Sequence, residues 1–220
     1  IKQLKEKSAL TIKATFLGAH TYPTAFKEDH EGYIRQIIDE MLPVIAKEKL
    51  ADYIDVFCET GFFSKEETIR IGKAGMAIGL KPKIHANQLN LSGGTEAGVE
   101  LGALSVDHLE TMDDATIRLL AGSSTIGTLL PTAAYFLRMP YQPARQLIDA
   151  GCAIALASDY NPGSSPSGNM NMVASMSCIQ MKMLPEEVIN AATINGAFAM
   201  EVQDKTGSIR PGKKANLIFT

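Results

Sequence analysis

Residues 53–86 read YIDVFCETGFFSKEETIRIGKAGMAIGLKPKIHA, and their pattern decides the fold class. YIDVFC is a short run rich in apolar and β-branched residues, as in a strand buried on both faces. SKEETIRIGKAGMAIGL follows with helical spacing of its apolar positions. KPKIHA then returns to a strand. One strand, one helix and a second strand within about 30 residues make a βαβ unit, whose two strands run parallel.

The same rhythm extends in both directions. Upstream, Thr11 to Ala19 (TIKATFLGA) reads as a strand closed by Gly18 and His20. After a loop, Ile34, Ile37, Ile38, Met41, Leu42 and Ile45 fall on one helical face. Downstream come helix GTEAGVELGA, strand SVDHLE, helix DDATIRLLAG, strand TIGTLLP, helix PARQLIDAG and strand AIALASD. Six strands alternating with helices predict an α/β protein with a parallel sheet, either open and doubly wound or closed as a (β/α) barrel.

The polar residues favour the barrel. His20, Glu59, His85, His108 and Asp159 each lie at or near the C-terminal end of a predicted strand, which is where barrel chemistry gathers from several strands. No glycine-rich phosphate loop follows the first strand, as a dinucleotide-binding sheet would require. After the sixth strand, the loop YNPGSSPSGN leads to helical stretches MNMVASMSCIQMKM and PEEVINAATINGAFAM. In the tail GSIRPGKKANLIF, Gly207, Pro211 and Gly212 punctuate two short predicted strands. This reading divides the chain into a partial barrel, 1–206, and the start of a small β domain, 207–220. Ile1 at the start and the strand-like finish predict a chain incomplete at both ends.

Composition narrows the partners. With 45% hydrophobic and 20% charged residues the chain is an ordinary globular one. Its 21 basic and 24 acidic residues, a net charge of −3, carry no electrostatic footprint for nucleic acid or an anionic membrane. Cys58, Cys152 and Cys178 lie in apolar runs with no CxxC, the pattern of buried free thiols in a reducing compartment, so cytoplasm is the default.

His85 and His108 are about one βα unit apart, and His108 and Asp159 about two. On a barrel all three return to one mouth. Imidazole nitrogen and carboxylate oxygen suit a Zn²⁺ or Fe site with an open position for water. Asp159, after the apolar run AIALAS, is read as a buried aspartate that needs a cation or several donors beside it. Any one of these histidines alone reads equally well as a satisfied strand-end residue.

The stretches ATFLGAH, YIDVFCE, KPKIHANQ, LSVDHLE, TLLPTAAYFL, ALASDYNPGSSPSGNM, NAATINGA and GSIRPGKKANL closely resemble the imidazolonepropionases of the amidohydrolase superfamily. The resemblance implies a metal-dependent hydrolase that opens the cyclic amide of 4-imidazolone-5-propanoate to N-formimidoyl-L-glutamate in histidine degradation. It implies an elliptical (β/α)₈ barrel of the metallo-dependent hydrolase kind, with the six strands here matching the third to the eighth. One Zn²⁺ or Fe³⁺ per subunit is implied, with His85 and Asp159 as ligands and two more from an HxH motif that this sequence lacks. Asp159 would also act as base and His108 as a catalytic neighbour. His20, Gln88, Asn161, Gly163 and Ser164 match substrate-binding positions. The implied partner is a small molecule, with no nucleic acid or membrane, and a homodimer is compatible with it.

One departure stands out. Many members carry Glu three residues after the ligand histidine, whereas HANQ places Gln88 there, and glutamine has no titratable proton. Two rival readings therefore stay open: another cyclic-amide hydrolase or aminohydrolase with the same metal site, and a catalytically silent barrel used for binding. His30 reads as exposed, Glu59 and Glu110 as second-layer or plain strand-end carboxylates, and the methionines of 170–183 as core. Tyr135 and Arg138 fall in a predicted loop after TLLP.

Overall fold

A computed structural model describes residues 1–217. The strands are β1 (Thr15–Ala19), β2 (Tyr53–Cys58), β3 (Lys81–Ala86), β4 (Ser105–His108), β5 (Ile126–Leu129) and β6 (Ile154–Leu156). Their order in the sheet is their order in the chain. Among the described residues no reversal occurs, so they show no switch point of a doubly wound sheet, and the order is that of a barrel segment. The chain forms two compact units, residues 1–106 and a second beginning at Asp107, and the division falls inside β4.

In the first unit β1, β2 and β3 pair in parallel, with Tyr53 to Cys58 in register against Lys81 to Ala86. All six residues of β2 are buried, in keeping with its almost unbroken apolar sequence. Helix α4 (Lys65–Ala77) covers this sheet and buries Ile71 against it. Its start is set by a capping box: Ser64 Oγ accepts from the Glu67 N–H (3.2 Å), and Glu67 Oε2 accepts from the Ser64 N–H (2.8 Å). Helix α5 (Gly94–Leu101) packs closely, since a Cβ at Gly94 would lie 2.9 Å from Ala86 Cα.

β1 is shorter than its sequence suggested. The Ala14 N–H donates to Asp52 Oδ2 (2.6 Å), itself ion-paired to Lys5 of helix α1 (Lys2–Lys7), so Thr11 to Lys13 stay outside the ladder. The helix expected from residue 31 onward is three segments: α2 (His30–Arg35), a wide π turn (Gln36–Met41) and α3 (Leu42–Glu48). Pro43 has no N–H to give to the preceding turn, and the widened turn accommodates it.

In the second unit β5 and β6 pair in parallel, Gly127 to Leu129 against Ile154 to Leu156. Helix α6 (Asp114–Ala121) is capped by Asp113, whose Oδ1 accepts from the Thr116 N–H (2.8 Å). The loop expected after TLLP is instead a helix, α7 (Pro131–Leu137), with Pro131 at a first-turn position where its missing N–H costs nothing. Helix α8 (Ala144–Asp149) and α9 (Met170–Ile179) follow, and then α10 (Pro185–Asn190), a π turn and α11 (Gly196–Ala199). Ile126, Ala155 and Ala199 share a core cluster, and Asn195 Nδ2 donates to the Ile154 carbonyl (2.7 Å).

Residues 207–217 form turns without a strand, contrary to the sequence expectation. Gly207 and Gly212 both have positive φ, and Lys213 Nζ donates to Ser208 Oγ (2.7 Å). The final three residues of that expected strand lie outside the described residues. Among the described residues no helix is long and apolar enough to cross a membrane. The cysteines are free, Cys58 and Cys152 buried and Cys178 half-buried.

Candidate active site

The predicted site residues fall into two groups, one in each unit. In the first unit Asp55, Phe57, Lys83 and His85 alternate along β2 and β3, so they share one face of the sheet. His85 Nδ1 lies 3.0 Å from both carboxylate oxygens of Asp55, whose Oδ1 also accepts from the His85 N–H (3.2 Å). Asp55 is only 4% exposed. An ionised carboxylate accepts and cannot donate, so Nδ1 carries the proton and the imidazole lone pair sits on Nε2. That is the tautomer in which a histidine binds a metal while a carboxylate steers its other nitrogen.

His20 follows β1 directly. One extra residue sits in β1 between the Phe16–Ile54 and Ala19–Val56 pairs, a bulge of the kind that re-aims the next side chain. The His20 ring stacks on Phe57 (centroids 5.1 Å apart, 20° between planes) and meets His85 edge-on (5.7 Å, 88°). Phe57 in turn packs on Phe62. Beyond His20, Tyr22 stacks on both His30 and Phe63 (3.6 and 4.4 Å), which fastens the loop after β1. His30 is exposed, as its sequence suggested.

Glu59 proves to be a loop clamp. Its carboxylate accepts from the N–H groups of Thr60, Leu89 and Asn90 and from Asn90 Nδ2, and so ties the loop after β3 to the end of β2. Gln88 stands half-buried on that loop. Asn87 has φ 53, a left-handed backbone that its buried side chain stabilises by accepting from the Thr95 N–H (3.3 Å). Burial beside Glu59 pushes the Cys58 thiol up to about 11, so it stays protonated at neutral pH and is no nucleophile.

In the second unit His108 ends β4, buried, with its Nδ1 3.4 Å from Glu110 Oε1. The same oxygen accepts from Gln142 Nε2 (2.7 Å). Asp159 lies three residues beyond β6, at φ 50. It is half-buried, where its apolar surroundings in sequence had suggested full burial. The strand ends at Leu156, and the left-handed turn at Asp159 carries the chain outward.

Asn161 organises the loop that follows. Its Nδ2 donates to the Asp159 carbonyl and to Ser164 Oγ (both 2.7 Å), and its Oδ1 accepts from the N–H groups of Gly163 and Ser164 (2.9 and 2.8 Å). Ser164 Oγ then donates to Asp159 Oδ2 (3.1 Å). Asp159, Asn161, Gly163 and Ser164 therefore form one hydrogen-bonded loop. Tyr135 is exposed and Arg138 caps α7.

Among the described residues no group of three or more His, Cys, Asp or Glu side chains could hold a metal ion. The donors present nevertheless suit one in kind: an imidazole of fixed tautomer at His85, and at Asp159 a carboxylate steered by a serine. Sequence reasoning passed over Asp55, Phe57 and Gln142. Asp55 did carry a signal, because a carboxylate inside the buried run YIDVFC demands a partner.

A parallel α/β chain whose strands follow one another in sheet order is a barrel segment, and the chain belongs to the amidohydrolase family, which it matches over residues 5–220. It is 60% identical over all 220 residues to the imidazolonepropionase of Flavobacterium johnsoniae, covering 54% of that protein. The chain thus spans about half the length of the curated relatives it matches. Two solved structures share the fold. The 5-methylcytosine deaminase of Klebsiella pneumoniae liganded with 5-fluorocytosine has a TM-score of 0.74 at 15% identity, over 97% of this chain and 58% of the other. An adenosine deaminase from Xanthomonas campestris with bound zinc has a TM-score of 0.65 at 19% identity, over 90% and 50%.

Proposed function

We propose that the full-length protein is an imidazolonepropionase, which hydrolyses the ring amide of 4-imidazolone-5-propanoate to N-formimidoyl-L-glutamate in the cytoplasm. The observation that carries this reading is the 60% identity to the Flavobacterium johnsoniae imidazolonepropionase along the whole chain. The Asp55–His85 pair supports it, since it prepares an imidazole for a metal. In this reading residues 1–206 belong to the catalytic barrel and 207–220 lead into a small β domain.

His85 and Asp159 serve as ligands for one Zn²⁺ or Fe³⁺, with further ligands from outside this sequence. The zinc in the Xanthomonas campestris neighbour favours zinc. When bound, the ion polarises the ring carbonyl and makes a water more acidic. Asp159 accepts the proton of the attacking water and returns it to the departing ring nitrogen. His108 hydrogen-bonds to the carbonyl oxygen as negative charge develops there.

His20 binds the substrate. Gln88 orients the ring through hydrogen bonds, since an amide has no proton to transfer at any pH. Ser164 and the backbone at Gly163 meet the substrate, in a loop whose shape Asn161 sets.

The test is a direct assay on the full-length protein, following loss of imidazolone absorbance together with metal content. Turnover with about one metal per subunit is the expected result. Bound metal with turnover only of other cyclic amides or amines sinks the substrate assignment, and bound metal with no turnover at all favours a silent barrel.

A further inference from the structure

Two buried polar side chains, Glu110 and Gln142, stand beside His108 without touching the reacting groups assigned to it. Glu110 sits two residues further on and is 8% exposed; Gln142, from the loop between α7 and α8, is 1% exposed. Gln142 Nε2 donates to Glu110 Oε1 (2.7 Å), and that oxygen lies 3.4 Å from His108 Nδ1. The backbone reaches this arrangement through two consecutive left-handed residues, His108 (φ 87) and Leu109 (φ 66). Neither is glycine, so both are strained, and the turn they make brings the Glu110 carboxylate back to its own neighbour's ring.

The arrangement is poor as a purely structural device. A buried carboxylate paired only with an imidazole and an amide recovers little of its desolvation cost, and well-packed apolar side chains would stabilise such a place better. Glu110 Oε2 and Gln142 Oε1 are moreover buried with no hydrogen-bond partner. What the three groups do achieve is a single proton arrangement. The ionised carboxylate only accepts, so it holds the proton of His108 on Nδ1 and puts the lone pair on Nε2. Gln142 must turn its NH₂ toward Glu110, because its carbonyl oxygen would repel the carboxylate, and that donation fixes the rotamer of Glu110.

We infer that Glu110 and Gln142 are positioning residues that act through His108, with Glu110 fixing its Nδ1-protonated tautomer and Gln142 fixing the carboxylate. The inference rests on the reading of His108 as a catalytic group. The hydrogen bonds run from amide to carboxylate to imidazole, and they leave the lone pair of the imidazole on Nε2.

The test uses full-length protein labelled with ¹⁵N-histidine, in which two-bond ¹H–¹⁵N correlations report the tautomer, with His108 assigned from the peaks lost in His108→Gln. The parent protein should show His108 protonated on Nδ1. Glu110→Gln should yield a mixed or Nε2-protonated ring, and kcat should fall about 10–100-fold, the scale of partners that orient site histidines, while KM changes less than about threefold. Glu110→Asp, which keeps the carboxylate, should recover part of that loss, and Gln142→Leu should fall between parent and Glu110→Gln.

An Nε2-protonated His108 in the parent overturns the inference without any variant having to fold. So does a Glu110→Gln protein whose tautomer and kcat match the parent. Absence of imidazolone turnover in the parent would instead remove the functional reading, and the tautomer spectrum would still decide whether Glu110 orients His108.

Discussion

Asp55 holds His85 by the ring nitrogen that faces away from chemistry: Nδ1 lies 3.0 Å from both of its carboxylate oxygens, across the β2–β3 pair. Asn in place of Asp55 keeps the shape and removes the charge. Such orienting partners of metal-binding histidines are worth about 10–100-fold in metal affinity. Asp55→Asn in the full-length protein should therefore lose metal to a competing chelator at about 10–100-fold lower chelator concentration, with the secondary structure unchanged by circular dichroism. Unaltered metal retention would show that His85 is not a ligand or that Asp55 does not orient it.

Phe57 is the common neighbour of His20 and His85, stacked on the first and set edge-on to the second at 6.1 Å. Leucine fills most of the volume but offers no ring face, so Phe57→Leu should cost stability by no more than about 1.5 kcal/mol. Its larger effect should be on the orientation of His20. A several-fold rise in KM for the imidazolone with a smaller change in kcat is expected, and steady-state kinetics on the full-length variant will show it. A change in kcat alone would place His20 outside substrate binding.

The strand–helix rhythm was legible because buried parallel strands are apolar runs and the covering helices are amphipathic, and KPKIHA occupies β3 residue for residue. The departures come where backbone chemistry overrides periodicity. Pro43 divides a pattern that reads as one helix, and Pro131 opens a helix in a stretch that reads as a loop. His85, His108 and Asp159 were visible as polar residues ending apolar runs. Their partners were not: Gln142 reaches Glu110 from 32 residues away, and no local pattern encodes such a contact. The Phe57–His20 stack depends likewise on strand register and on a bulge.

Burial, and next the charge of Glu59 and its acidic neighbours, pushes the Cys58 thiol up to about 11, while burial also raises that of Cys152. Alkylation needs the thiolate. At pH 7.5 iodoacetamide should therefore modify the half-buried Cys178 first and leave Cys58 and Cys152 intact until the protein is denatured. Peptide mapping by mass spectrometry after timed quenching measures the order. Early labelling of Cys58 would mean that β2 opens readily.

Arg145 joins two helices through a fork on Glu187 (2.9 and 3.0 Å), and Glu187 also accepts from the Leu184 N–H at the start of α10 (2.8 Å). The Arg145 hydrogen bonds, and next that N–H, hold the Glu187 carboxyl below the usual carboxylate range. A carboxylate depressed on folding contributes stability that is fully present above its unfolded value, near 4.3, and is lost as pH falls through its folded value. Glu187→Gln should lower the thermal midpoint at pH 7, and the difference from the parent should shrink below about pH 4. A midpoint difference that persists unchanged to pH 3 would show that packing, not charge, is what the residue provides.

Asn161 uses all of its amide inside one loop, accepting from two backbone N–H groups and donating to the Asp159 carbonyl and Ser164 Oγ. Alanine would release Ser164, which steers Asp159 Oδ2, and Asp159 itself sits on a left-handed backbone that relaxes once the loop no longer holds it. Asn161→Ala should therefore act at a distance from any contact of its own. Metal retention should weaken, kcat should fall by about 10-fold or more, as for other partners that orient site residues, and amide hydrogen exchange should quicken across residues 159–165. Asn161→Asp keeps both acceptor contacts but loses the two donations and faces Asp159 with a like charge, so it should be no better than alanine. If instead Asn161→Asp recovers activity, the acceptor side of Asn161 alone shapes the loop, and Ser164 finds Asp159 without help from the amide.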